Sequence, residues 1–279
     1  MDKLFRIELV RSAFAKNGWS LEKTKYQFIF DKYCELIDLL NDQEFEIFIL
    51  LTEQFTHRPF EFYPTMIEEC LEKIDFEKYN KHTDVYVVPL SEPKDQKKAL
   101  KSGDALAHPF CYQYLPMFLG REKNIELVPK ANSLIPKQRS RNPGFFIFID
   151  DFVGTGDTGN KAIGNFKGMV EKKGDSVIII SLTAMQAGIS ILSPLVDEFV
   201  CALILKKGVT DSTSIKNKRE AFSVIDRIEK RLNNVGEMRY GYKKSEGLVS
   251  MTRTPDNTFP MFWWDKCADG KPWPAPFYR

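Results

Sequence analysis

Two adjacent carboxylates, Asp150 and Asp151, are followed at once by Phe152-Val153-Gly154-Thr155-Gly156-Asp157-Thr158, and this stretch carries residue types and spacing suited to gripping a ligand. Gly154 and Gly156 permit backbone conformations closed to other residues, so successive N–H groups can converge on one anion. Thr155 and Thr158 add hydroxyl donors, and a helix predicted from about Gly159 onward brings its partly positive N-terminus. An anion in that loop would be repelled by Asp150 and Asp151 if they pointed into it. They must face something else on the same ligand, most simply vicinal sugar hydroxyls, which donate to ionised carboxylates. The residues therefore describe a cradle for a ribose 5-phosphate derivative. A plain strand-to-helix turn with a capping Asp accounts for any three of these residues and strains to account for all of them.

The elements that must position the cradle are legible as patterns. Phe145-Phe146-Ile147-Phe148-Ile149 and Val177-Ile178-Ile179-Ile180 are apolar at every position, so neither has a wet face, and both read as central strands. Further strands are predicted over Val85–Val88, Ile125–Val128 and Phe199–Leu205, with helices over Met66–Ile74, Ala105–Phe118, Gly159–Lys172, Ala184–Leu192 and Arg219–Leu232. The first of these helices is expected to open on a capping box, Thr65 to Glu68. The alternation predicts an α/β fold with a mostly parallel central sheet and flanking helices, whose ligands bind beyond the carboxyl ends of the strands.

Residues 1–80, almost free of Gly and Pro, read as an N-terminal helical subdomain, and 81–279 as the α/β domain. From Pro255 the chain holds five prolines and three tryptophans, which predicts an ordered tail, 255–279, packed across that domain.

Composition narrows the function. Lys and Arg total 40 against 38 Asp and Glu, a formal net charge of +2 with the signs interleaved, so bulk attraction to nucleic acid or an anionic membrane is not indicated. The five cysteines are scattered without a C-x-x-C pair, which supports neither a disulfide framework nor a zinc knuckle. His57, His82 and His108 show no ligand spacing. With no 18-residue apolar run and a start at Met1-Asp2-Lys3, the expected location is the cytoplasm.

Residues 146–158 resemble the signature of the type I phosphoribosyltransferases: apolar residues, an acidic pair, a few small residues, then Thr/Ser-Gly-x-Thr. The resemblance implies a phosphoribosyltransferase-like fold and a phosphoribosyl-pyrophosphate (PRPP) or nucleotide ligand. Asp150 and Asp151 fall on the family's ribose-binding pair, and Thr155, Gly156, Asp157 and Thr158, with Gly154 before them, on its 5′-phosphate loop. Asp157 replaces a glycine common in the family, so its side chain must point outward. The resemblance also implies a Mg2+ cofactor, held by Asp150 and Asp151 indirectly through the ligand. A diphosphate grip is implied after the first core strand, where Pro89 to Lys94 lies, with Lys94 and Lys101 as candidate cations. Asn257 to Trp264 and the closing Trp273 to Arg279, with the helical start, resemble the phosphoribosyltransferase-like effectors of bacterial conflict and antiphage systems, including some encoded beside retrons. That likeness implies an antiphage effector with a protein partner in a bacterial defence complex, and leaves a homo-oligomer open. Two functions remain: an enzyme transferring pentosyl groups at the anomeric carbon, and a non-catalytic nucleotide or PRPP sensor.

Overall fold

Poor in Gly and Pro, the start of the chain winds into α1 (Lys3–Lys16), α2 (Thr24–Leu39) and α3 (Asp42–Thr52), then reaches a short strand β1 (Thr56–His57). There follow α4 (Tyr63–Glu72), β2 (Asp84–Pro89), α5 (Ser102–Pro109), α6 (Leu115–Leu119), β3 (Asn124–Leu127), β4 (Phe145–Val153) and α7 (Asp157–Met169). The order closes with β5 (Ser176–Met185), α8 (Gln186–Leu192), β6 (Glu198–Leu205), α9 (Lys218–Glu229) and β7 (Val249–Ser250). This computed structural model describes residues 1–92, 102–120, 122–129 and 142–279. Its contacts form two compact units, Phe60–Leu205 and a discontinuous one of Met1–Pro59 with Lys206–Arg279. The sequence reading set its boundary at residue 80; the contacts group α4 with the strands that follow it.

In the Phe60–Leu205 unit all strands are parallel, in the order β3-β2-β4-β5-β6. β5 is buried along its whole length and β4 from Phe145 to Ile149, as strands covered on both faces must be. One face of β4 presents Phe146 and Phe148 to Phe166 of α7. On the other, Phe145 stacks on Tyr79 with ring centroids 4.3 Å apart.

Three local expectations shift, each for a stereochemical reason. The helix predicted over 105–118 is interrupted by a π-helical turn, Phe110–Tyr114, directly after Pro109, whose missing N–H breaks the α-helical ladder. α4 starts at Tyr63 rather than at a Thr65 cap, with Pro64 in its first turn, where a fixed φ is tolerated. β5 runs to Met185, because Thr183 and Ala184 pair with both neighbouring strands.

The discontinuous unit has an aromatic core. Phe14, Trp19, Tyr33, Phe48 and Phe55 bury together with Phe262, Trp273 and Phe277 and with the apolar face of α9. Phe48 stacks on Phe262 at 4.8 Å and Phe55 on Phe277 at 4.4 Å. The tail is thus ordered, but its rings bury among the N-terminal helices instead of across the sheet. The N-terminal helices pack on each other through Phe14, Phe30 and Tyr33, and the tail's rings join the same cluster. Trp263 donates its indole N–H to Thr258 O at 2.8 Å, a packing role. β1 and β7 pair in parallel within this unit. Among the described residues no helix is long and apolar enough to cross a membrane.

Candidate functional site

β2 pairs with β3 on one side and β4 on the other, so the connections leaving β2 and β4 run in opposite directions across the sheet. Right-handed crossovers then put α5 and α7 on opposite faces and open a crevice at the carboxyl ends of β2 and β4. Pairing between the two strands stops at Pro89 and Ile149. Asp150 is the next residue of β4, so the acidic pair lies at the lip of that crevice.

Strand alternation sends the two carboxylates to opposite faces, and their environments differ. Asp150 is half-buried, and its Oδ1 accepts the N–H of Asp151 at 2.9 Å. A side chain on Gly103, in the first turn of α5, would come within 3.1 Å of that oxygen. Asp151 is only 4% exposed, and Tyr63 donates its hydroxyl to Asp151 Oδ2 at 2.6 Å. The second member of the pair is therefore interior while the first is half-buried.

The loop behaves as its glycines foretell at one position. Gly156 caps α7 in the left-handed region, φ +81°, with no side-chain cap bond, and Asn160 N–H donates to Gly156 O at 2.8 Å. The first turn of α7, Asp157 to Gly159, is where a helix directs N–H groups outward, towards an anion. Thr155, Asp157 and Thr158 are half-buried around it. Gly154 contributes closeness rather than a left-handed bend: its carbonyl oxygen lies only 2.4 Å from where a β-carbon on Gly188 would stand. Gly188, early in α8, therefore floors the loop. Gly159 is equally constrained, since a side chain there would strike Leu192 at 2.6 Å and approach Leu90 at 3.3 Å.

Of the expected diphosphate segment, Pro89 to Glu92 is described. Leu90 N–H continues the sheet onto Ile149 O at 2.8 Å, and Glu92 pairs with Lys161 of α7 at 2.9 Å, which brings this segment alongside α7 and the Gly154–Thr158 loop that precedes it. Lys94 and Lys101 lie outside the described residues, as does the basic run Lys137 to Arg141. Among the described residues no group of three or more His, Cys, Asp and Glu could hold a metal ion. Asp150, half-buried at the strand end, is the carboxylate there that a Mg2+ arriving with a ligand could reach. His82 is a structural clamp, with Nε2 2.9 Å from Ser176 Oγ and Nδ1 3.2 Å from Pro143 O.

Sequence reasoning thus found the strand, the acidic pair and the helix start, and missed Tyr63, Gly103 and Gly188. Gly188 had a signal, a glycine within a helical pattern, which often marks a close backbone approach. Tyr63 had none, standing 88 residues from its partner.

No curated protein matches the chain. Among solved structures, orotate phosphoribosyltransferase from Aeropyrum pernix is similar over 52% of this chain and 71% of its own, at 17% identity and a TM-score of 0.32. The family model described as PRTase-CE matches residues 60–279, a span that takes in α4, the whole parallel sheet and the tail. By that match over most of its length, the chain belongs to the phosphoribosyltransferase-like PRTase-CE family.

Proposed function

We propose that the Phe60–Leu205 unit binds PRPP, or a nucleotide sharing its ribose 5-phosphate half, and catalyses pentosyl transfer at the anomeric carbon. One observation carries the reading: a glycine-capped helix start stands directly behind an acidic strand end at the switch point of a parallel sheet. The turn Gly154 to Thr158 holds the 5′-phosphate, and Asp150 and Asp151 receive the sugar hydroxyls. In transfer, the bond from C1 to the diphosphate oxygen breaks, the diphosphate leaves with the bonding pair, and an acceptor nitrogen or oxygen bonds to C1 and loses its proton to water. Mg2+ bound with the ligand supplies charge neutralisation to the leaving diphosphate. Asp150 and Asp151 would help hold it indirectly, through the ligand, and Lys94 and Lys101 are the cations assigned to the same charge.

Calorimetric titration with ribose 5-phosphate and with PRPP, with and without Mg2+, tests the site, and chromatography after incubation with bases and nucleotides tests the chemistry. Turnover supports the enzyme. Saturable binding without turnover makes the protein a PRPP or nucleotide sensor, and no binding of either sugar phosphate refutes both. The narrower reading, an antiphage effector restrained by a partner in a bacterial defence complex, is supported by the resemblance of the 257–279 tail. Expression without partners should slow bacterial growth, and the Asp150→Asn variant should not; equal growth of the two strains counts against it.

A further inference from the structure

We propose that Tyr63 is a positioning residue for sugar recognition, fixing Asp151 in the orientation from which it receives one ribose hydroxyl; this rests on the ribose 5-phosphate reading above. Tyr63 is 3% exposed in the first turn of α4, and its hydroxyl meets Asp151 Oδ2 at 2.6 Å. That is a short O–H···O hydrogen bond. A carboxylate turns readily about its last torsion. Anchoring one oxygen sets the direction of the other, which is the preorganisation that diol recognition needs.

A purely structural reading has to explain why an acid is buried there at all. Removing a carboxylate from water is costly even when it is paired, and an apolar residue at the end of an apolar strand would pack at lower cost. The pair Tyr63 and Asp151 makes sense if the acid is kept for a ligand and the phenol holds it ready. Phe60, half-exposed and with its ring 5.2 Å from that of Tyr63, continues the same segment outward.

The test is Tyr63→Phe, which keeps the ring and its packing and removes only the hydroxyl. Affinities are measured for ribose 5-phosphate, 2-deoxyribose 5-phosphate and 3-deoxyribose 5-phosphate against wild type. The expected result is a loss of about 5- to 10-fold for ribose 5-phosphate. The loss should vanish for whichever deoxy analogue lacks the hydroxyl that Asp151 receives. A merely structural role would weaken all three ligands equally, and that outcome, or an unchanged affinity for all three, overturns the assignment. Wild-type protein that binds neither ribose 5-phosphate nor PRPP refutes the sugar-phosphate reading itself, and the role of Tyr63 falls with it. A wild type that binds and a variant that fails to lose selectivity refutes Tyr63 alone.

Discussion

The two units solve the same problem, burying apolar surface, in opposite ways. Phe60–Leu205 does it within one contiguous stretch of chain: β4 is followed by α7, whose Phe166 covers Phe146 and Phe148, and α4 packs on β5 and β6 from the same stretch. The discontinuous unit does it with partners far apart, setting Phe48 against Phe262 and Phe55 against Phe277. Locally closed packing leaves its loops free to carry chemistry, and the candidate site lies there. Packing closed at long range stakes stability on a few rings.

Truncation before Phe259 should therefore give the largest effect. Each lost aromatic of a core typically costs about 3–5 kcal/mol, so Phe262, Trp273 and Phe277 together, at roughly 9–15 kcal/mol, are comparable with the roughly 5–15 kcal/mol that holds a domain folded. Amide exchange should show protection lost across 1–59 and 206–258 while β4 and β5 retain it. Loss of protection in β4 and β5 as well would mean that the units are not independent in stability.

Gly188→Ala should come next, acting on the site rather than on the core. Its methyl would press on the Gly154 carbonyl and on Val153, 2.8 Å away, costing about 1–3 kcal/mol of stability and more than about tenfold in ribose 5-phosphate affinity. A variant that binds as tightly as wild type would show that the loop above α8 is not the cradle.

Smaller and more diagnostic is the contrast between Asp150→Asn and Asp151→Asn. Both should weaken sugar binding. Only Asp151→Asn, at the buried position bonded by Tyr63, should also lower the melting temperature, by a loss on the order of 1–3 kcal/mol. Equal melting temperatures for the two variants would contradict the different burial of the pair.

The subtlest prediction concerns pH and falls in the discontinuous unit. Burial raises the Glu229 carboxyl from 4.5 to about 8, opposed by the Tyr240 N–H and by Arg239 and reinforced by Asp226. The folded state thus keeps a proton that the unfolded chain releases. Stability should be greatest below about 4.5 and decline through about 8, with a slope approaching about 1.4 kcal/mol per pH unit from this group. Glu229→Gln should flatten that decline in chemical denaturation series, and an unchanged slope would show that the acid is charged in the folded protein.

What the sequence disclosed and what it withheld follow the same division. A strand buried on both faces has to be apolar throughout, so β4 and β5 announce themselves, and a glycine before a helix start announces the cap at Gly156. The tail's rings were legible as buried, but nothing in a linear pattern says which surface buries them. The acidic pair was legible as chemistry while its asymmetry was not, because the burial of Asp151 depends on Tyr63 arriving from a helix that precedes the sheet. Proline at 109 carried its warning in the sequence, and the helical periodicity around it obscured that warning.

A chain that completes one unit from its two outer segments has a schedule as well as a shape. On the ribosome, α1 to α3 emerge before the tail residues that complete their core. The parallel-sheet unit is synthesised next, from contiguous chain, and nothing in its contacts requires it to wait. Only when Phe262, Trp273 and Phe277 leave the exit tunnel can α1 to α3 complete the burial of their aromatic surface. Until then the nascent protein carries a completed parallel-sheet unit together with an adhesive, unfinished one, and residues 259–277 decide the fate of residues 1–59.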